Sequence, residues 1–411
     1  MIRLACRATL ALLVLGLPLC AQPGPAPTRA PRDWPSWGYD QERSNWNRGE
    51  TALTPKNVSR LKLLWQTTVG TPPTDVAMAT LTSPVVIEGA LTPAGRKNLL
   101  FTIGADSSLF AIDAESGKIV WQKAYPNNQK AEHPANVNCS NTEQATPVID
   151  KARGIIFFTT GDGMLHGLDA GTGAEKLAPI VMVAPFSRNW SLNFIDNVVY
   201  TAAGRGCGNG APAEGGQPAG VETGHVTAVD VSDLSRAQMS SFDTGHDRPA
   251  GPWGRGGPVA GPKGVYVQTA DGAFKPENGI FGNSVVAVTR KAQGLADVYS
   301  PANNAYLTAK DLDLGSGSPV IFPFGNRSLL ATGGKEGVIY ILDASDLGSP
   351  DHAKPFFQSA RFGNDEQTYA ERGIWGGLST AVSAAGERIL YVPMWGPEAR
   401  DAPKFPYGTS E

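Results

Sequence analysis

The carboxylates that stand out in this chain come as a series. Asp113, Asp169, Asp230 and Asp343 each close a short apolar strand and precede a turn of small residues, and Thr289 takes the same place in one more copy. A carboxylate beside a turn can do acid–base work or ligate a hard cation. Recurrence at roughly 54 to 61 residues points instead to residues that fix turns. Other chemistries find no support. The five histidines are scattered, without HExxH or any paired spacing. There is no GxSxG elbow and no Walker loop. The stretch GAPAEGGQPAG reads as a loop, because a phosphate cradle needs a following helix. No CxxC pair for zinc and no CxxCH for covalent haem occurs.

The elements that carry these aspartates repeat with them. The phrase reads LFAIDAESGKIVWQK from Leu109, LHGLDAGTGAEKLAP from Leu165, VTAVDVSDLSRAQMS from Val226, VVAVTRKAQGLADVY from Val285 and IYILDASDLGSPDHA from Ile339. Two apolar strands precede each copy, the first of them starting at Ser83, Ala145, Asn189, Gly257 and Gly317, with a sixth start at Leu378. Four strands per unit and no amphipathic helix between units predict an all-β chain of four-stranded antiparallel meanders. One such sheet cannot bury both faces, so neighbours must pack around an axis as the blades of a β-propeller. LKLLWQTTV (Leu61 to Val69) is predicted as a first strand, and Trp65 and Trp121 as packing residues. About six blades are visible, and the last stops after its second strand, near Trp395. The tail GPEARDAPKFPYGTSE is expected to lead to a further strand, as in a piece of a larger ring. The alternative is a compact ring closed by the amino-terminal strand.

Ahead of the propeller, Arg3 and Arg7 followed by ALLVLGLPL make a secretory signal over residues 1–21. Cys20 also admits a lipoprotein reading, against which Leu19 is large for a lipobox. Residues 22–32 form a proline-rich linker, and the propeller domain is expected over 33–411, with order beginning at Asp33-Trp34. The expected location is periplasmic or secreted, without a transmembrane span. A net charge of -3 without basic runs argues against nucleic acid as a partner. Cys139 and Cys207 are the cysteines left beyond the signal. In an oxidising compartment an even pair suggests a disulfide, and two separate buried thiols fit the sequence equally well.

AIDAESGKIVW resembles the tryptophan-docking repeat of the pyrroloquinoline quinone (PQQ) dehydrogenases, and WPSWGYDQERSNWN followed by LTPKNVSRLKLLWQ resembles their amino-terminal segment. The resemblance spans Trp34 to Trp395 and implies the eight-bladed quinoprotein alcohol dehydrogenase-like fold, incomplete here. It implies PQQ stacked on a tryptophan, Ca²⁺ beside it, a general base and a cation near the quinone oxygens. By that resemblance WGRGGPVAGPKGVYVQTAD places Trp253 as the stacking residue and Asp271 as a metal ligand. DLDLGSGSPV places Asp313 as base and metal ligand, and GGKEGVIYILD places Lys335 against the quinone. Each residue type suits its role: an aromatic platform, a proton acceptor and a cation for developing negative charge.

Two departures accompany the likeness. NVNCSNTEQ offers Cys139 alone where the family has two adjacent cysteines, and Gly206 stands where the third blade's acidic ligand would be, with Glu214 or Glu222 as substitutes. A bridge from Cys139 to Cys207 tying neighbouring blades is expected from their shared face. The implied function is an oxidoreductase acting on an alcohol or sugar and passing electrons to a separate cytochrome or other acceptor. The alternative is a non-catalytic periplasmic propeller serving as a binding or assembly scaffold.

Overall fold

The computed structural model describes residues 33–70, 82–104, 106–132, 139, 145–204, 207–209, 223–245, 250–363 and 372–396. The signal, the linker, the tail beyond 396, Gly206, Glu214, Glu222 and most of NVNCSNTEQ lie outside that set. Five antiparallel meanders follow one another. The first runs Val85–Thr92, Gly95–Ile103, Ser108–Asp113, Ile119–Ala124. The second runs Val148–Asp150, Ile155–Thr159, Met164–Asp169, Glu175–Val181. The third runs Asn193–Ile195, Val198–Gly204, His225–Asp230, Gln238–Asp243, with Arg188–Asn189 also pairing on its second strand. The fourth runs Val259–Gly261, Gly264–Gln268, Val285–Val288, Leu295–Tyr299. The fifth runs Val320–Phe324, Arg327–Gly333, Ile339–Asp343, Phe357–Gln358. A sixth sheet pairs Ser379–Val382 with Arg388–Tyr391. Among the described residues the α-helix is a single short one, Asn304–Ala309.

The repeated aspartates fix turns. Asp113 Oδ1 accepts the N–H groups of Glu115 (3.0 Å) and Ser116 (3.1 Å), and Asp169 Oδ1 those of Gly171 and Thr172. Asp230 and Asp343 do the same for Ser232 and Ser345, both at 2.9 Å. Where Thr289 replaces the acid, the turn supplies Lys291 instead, which reaches back to Asp230 of the preceding sheet at 2.8 Å.

The second to fifth sheets bury both faces. Leu99 and Phe101 of the first pack on Ile156 and Phe158 of the second, while Phe157, on the second sheet's other face, packs on Val199 and Val229 of the third. Tyr200 and Val226 then meet Val265 and Val286 of the fourth, whose Tyr266 and Val285 meet Leu330 and Leu342 of the fifth. Val320 and Leu329 pack on Leu378 at the sixth. The alternation of strand side chains thus yields a radial stack of sheets.

Indole docking marks the first two junctions. Trp65 Nε1 donates to Ala114 O and Trp121 Nε1 to Ala170 O, both at 3.0 Å. The indoles cover Gly117 and Gly173, where a Cβ would lie 2.6 and 3.1 Å from the ring. Further round the ring Trp190 Nε1 donates to Pro252 O at 2.7 Å between the third and fourth sheets, and between the fourth and fifth the Tyr266 hydroxyl donates to Ala344 O at 2.5 Å. The expected strand over 61–69 is a correction: the segment joins no ladder and leaves Leu61, Leu63 and Leu64 exposed. Trp65 is held by its indole and Thr67 by its hydroxyl, so side chains rather than backbone pairing dock this stretch.

The amino-terminal segment visits every sheet in turn. Trp34 bridges Val86, and Pro35 O accepts Ile149 N–H at 2.8 Å. Gln41 O accepts Asn193 Nδ2 of the third sheet and Ala260 N of the fourth, each at 2.9 Å. Glu42 O takes Ile321 N–H and Ser44 O takes Thr380 N–H, in the fifth and sixth. Arg43, fully buried, donates to Trp37 O at 2.6 Å and Leu192 O at 2.9 Å. The sequence WPSWGYDQERSN is thus the hub on which the sheets are strung.

Candidate functional site

Four residues nominated by resemblance meet where the fourth and fifth sheets adjoin. Trp253 leads into the first strand of the fourth sheet and Asp271 follows its second; Asp313 and Lys335 hold corresponding places in the fifth. Trp253 N–H donates to Gln268 O at 2.9 Å, and Gln268 Nε2 crosses to Leu314 O at 2.6 Å. Leu314 N–H is received by Asn283 Oδ1 at 2.9 Å, which pins the chain beside Asp313. Lys335 N–H bonds Asp313 O at 3.0 Å. That approach requires glycine at 334, because a Cβ there would stand 2.2 Å from Asp313 O.

The side chains converge. Lys335 Nζ forms an ion pair with Asp313 and lies 3.0 Å from Asp311 Oδ1. Asp313 Oδ1 accepts the Asp271 N–H at 2.6 Å. Oxygens of Asp271, Asp311 and Asp313 all lie within 4.8 Å of one another. Lys335 Nζ also sits 5.0 Å from the Trp253 ring centroid and 5.6 Å from that of Trp375. The two indoles meet edge to face at 5.4 Å. Asp313 and Lys335 are both buried, whereas the Asp311 side chain is 49% exposed.

The two neighbouring carboxyls are pushed apart. Burial lifts Asp311 above the ordinary carboxylate range, reinforced by its bond to Asp313 and that residue's charge. Burial also raises Asp313, but the Lys335 ammonium and the Asp271 N–H outweigh it and hold the group below that range. Three carboxylates against one ammonium leave the cluster electronegative, and the donor set is all hard oxygen. It fits a hard cation of the calcium class.

Asp311 and Trp375 were missed from the sequence. The Asp311-Leu312-Asp313 spacing was a usable signal for the first, since alternate residues of an extended chain share a side. Trp375, in IWGG, had none. Cys139 and Cys207 are joined, with Cα atoms 5.3 Å apart and a sequence separation of 68.

The comparisons agree with the fold. A family model for the PQQ "Glucose/ethanol/alcohol dehydrogenase, beta-propeller domain" matches residues 34–178, the region that carries both indole-docked junctions. The quinohemoprotein alcohol dehydrogenase ADH-IIG of Pseudomonas putida is 25% identical over 208 residues, 50% of this chain and 25% of that protein. The structure of an ADHIIG enzyme from P. putida HK5 superposes with a TM-score of 0.60 at 16% identity, covering 90% of this chain and 59% of the other. The quinohemoprotein alcohol dehydrogenase of Comamonas testosteroni gives 0.54 at 16%, covering 88% and 52%. A europium-containing methanol dehydrogenase gives 0.56 at 15%, covering 88% and 68%. The chain therefore spans little more than half the length of the quinohemoprotein structures it matches. Its fold is that of the PQQ-dependent alcohol dehydrogenase-like β-propellers, with that family's own repeat over residues 34–178.

Proposed function

We propose that this is an exported quinoprotein oxidoreductase that oxidises an alcohol or sugar. The observation that carries the reading is the meeting of Trp253, Lys335 and three carboxylates in one electronegative, indole-walled cluster. PQQ, when bound, supplies a two-electron ortho-quinone acceptor. Trp253 offers it a flat apolar face, and Lys335 offers a cation to offset the charge gained on reduction. Asp271 and Asp313 hold a hard cation, with calcium or a trivalent ion of the europium class as candidates.

The proton acceptor is better assigned to Asp311 than to Asp313. Asp313 is buried, paired with Lys335 and held below the ordinary range, so it is a poor base. Asp311 is half-exposed and pushed upward by burial, which makes it the stronger base of the two. We assign the electrons to a separate cytochrome or other carrier, and the location to the periplasm or exterior.

A second reading is a non-catalytic binding or assembly propeller. It is favoured by the Lys335 ammonium, which already partners two of the three carboxylates. The test is reconstitution with PQQ and either calcium or europium, followed by dye reduction over primary alcohols and aldoses. Quinone-dependent reduction that Asp311→Asn lowers at least about a hundredfold supports the oxidoreductase. Bound quinone with no reduction for any substrate supports the second reading.

A further inference from the structure

The residue next to Lys335 is anchored from three parts of the chain. Glu336 is 7% exposed. Its Oε1 accepts Asn303 Nδ2 at 2.8 Å and Arg361 Nη2 at 2.9 Å, and its Oε2 accepts the Tyr340 hydroxyl at 3.0 Å. Tyr340 belongs to the third strand of the fifth sheet, and Arg361 follows its fourth. Arg361 also lies over the ring of Tyr306 in the short helix, 5.5 Å from its centroid. A buried carboxylate needs partners of this kind, and a charge-assisted set holds it in one place.

The anchor ties together the two halves of the carboxylate–ammonium cluster. On one side, Asn303 opens the stretch that runs through the helix Asn304–Ala309 to Asp311 and Asp313. Leu312 N–H returns to Leu307 O at 2.9 Å, so the carboxylates follow the helix closely. Asp311 is left-handed there, with φ of 53°, a conformation its surroundings must hold. On the other side, Glu336 shares with Lys335 the turn that Gly337 N–H closes on Gly334 O at 2.9 Å. Gly373 lets a neighbouring segment press on that turn, since a Cβ there would lie 2.2 Å from Lys335 O.

A tethered ammonium and a metal ion compete for the same carboxylate oxygens. The better the ammonium is held beside them, the more an incoming cation must displace. We propose that Glu336 is the positioning residue that holds Lys335 against Asp311 and Asp313, and so sets how strongly the ammonium opposes a hard cation there. The inference rests on the cation-site reading above and deepens it.

The test is europium titration of the quinone-free protein, followed by europium luminescence. Lys335→Met is expected to bind europium at least about tenfold more tightly than wild type, because the competing charge is gone. Glu336→Gln and Glu336→Ala remove the same charge, but glutamine keeps an acceptor oxygen for Asn303 and Arg361. The alanine variant is therefore expected to bind europium at least about fivefold more tightly than the glutamine variant. In a Lys335→Met background that ratio is expected to fall to about one. Equal affinities for Glu336→Ala and Glu336→Gln overturn the assignment. So does a ratio that survives Lys335→Met, which marks a packing role independent of the ammonium. If Glu336→Ala does not fold, Asn303→Ala is compared with wild type instead; tighter binding supports the inference and equal affinity overturns it. No europium bound by any variant, Lys335→Met included, removes the cation reading itself and this inference with it, an outcome distinct from the others.

Discussion

The carboxylate of Asp313 is shared across a sheet junction: Oδ1 accepts the backbone N–H of Asp271 at 2.6 Å, and the other oxygen takes the Lys335 ammonium. A loop of the fourth sheet and two loops of the fifth are locked by one side chain. Asp313→Asn leaves the buried Lys335 only the half-exposed Asp311 as an ion-pair partner among those described, and is expected to cost about 3 kcal/mol or more in urea unfolding. Pairing it with Lys335→Met should recover part of that loss, because the double variant buries no unmatched charge.

The same pair sets a pH dependence. Asp313 titrates below its unfolded value, so its contribution is complete above the ordinary carboxylate range and lost as pH falls through the folded value. The gap in melting temperature between wild type and Asp313→Asn is expected to be widest near neutral pH and to shrink steadily below about pH 4. A gap that widens on acidification contradicts the sign of this coupling.

Arg43 is expected to matter out of proportion to its place near the amino terminus. It is fully buried and satisfies the carbonyls of Trp37 and Leu192, joining the hub segment to the third sheet. Arg43→Met should cost about 3 kcal/mol, since buried carbonyls lose their donors. Arg48→Met, at a side chain 52% exposed that pairs with Asp40 at 3.5 Å, should cost under about 0.5 kcal/mol. Denaturant midpoints of the two variants check the contrast.

Gly117 and Gly154 separate indole docking from backbone strain. Both are left-handed, with φ of 71° and 66°, but a Cβ at 117 meets the Trp65 ring at 2.6 Å and one at 154 meets nothing within 4 Å. Gly154→Ala should cost about 1 to 2 kcal/mol, the ordinary left-handed penalty. Gly117→Ala should cost about 1 to 3 kcal/mol beyond that. Equal losses contradict the docking account of the first junction.

The Cys139–Cys207 bridge closes a long loop, its ends separated by 68 positions in sequence. In the chain-entropy model, Cys139→Ser is expected to cost about 4 kcal/mol. Non-reducing peptide mapping should recover the two cysteines in one linked species.

The repeat made the fold legible because four of the sheets carry the same turn, an acid followed by small residues, and Thr289 keeps the place in a fifth copy. The site was legible at Trp253, Asp271, Asp313 and Lys335 through family likeness, since a lone Asp or Lys near a turn carries no sign of what it faces. Asp311 was overlooked because half of it is exposed and the short helix ahead of it is absent from the meander pattern. Glu336 depends on donors from Asn303, Tyr340 and Arg361, a tertiary relation no local pattern encodes. The segment over 61–69 has strand-like alternation yet joins no ladder, because alternation records which faces are apolar and not whether a partner edge exists.

Retention of PQQ after desalting, read by quinone absorbance in the presence of calcium or europium, probes the central claim most directly. One quinone per chain, lost in Trp253→Ala and in Asp271→Asn with Asp313→Asn combined, is the expected result. No quinone retained by the folded wild-type protein with either cation contradicts it.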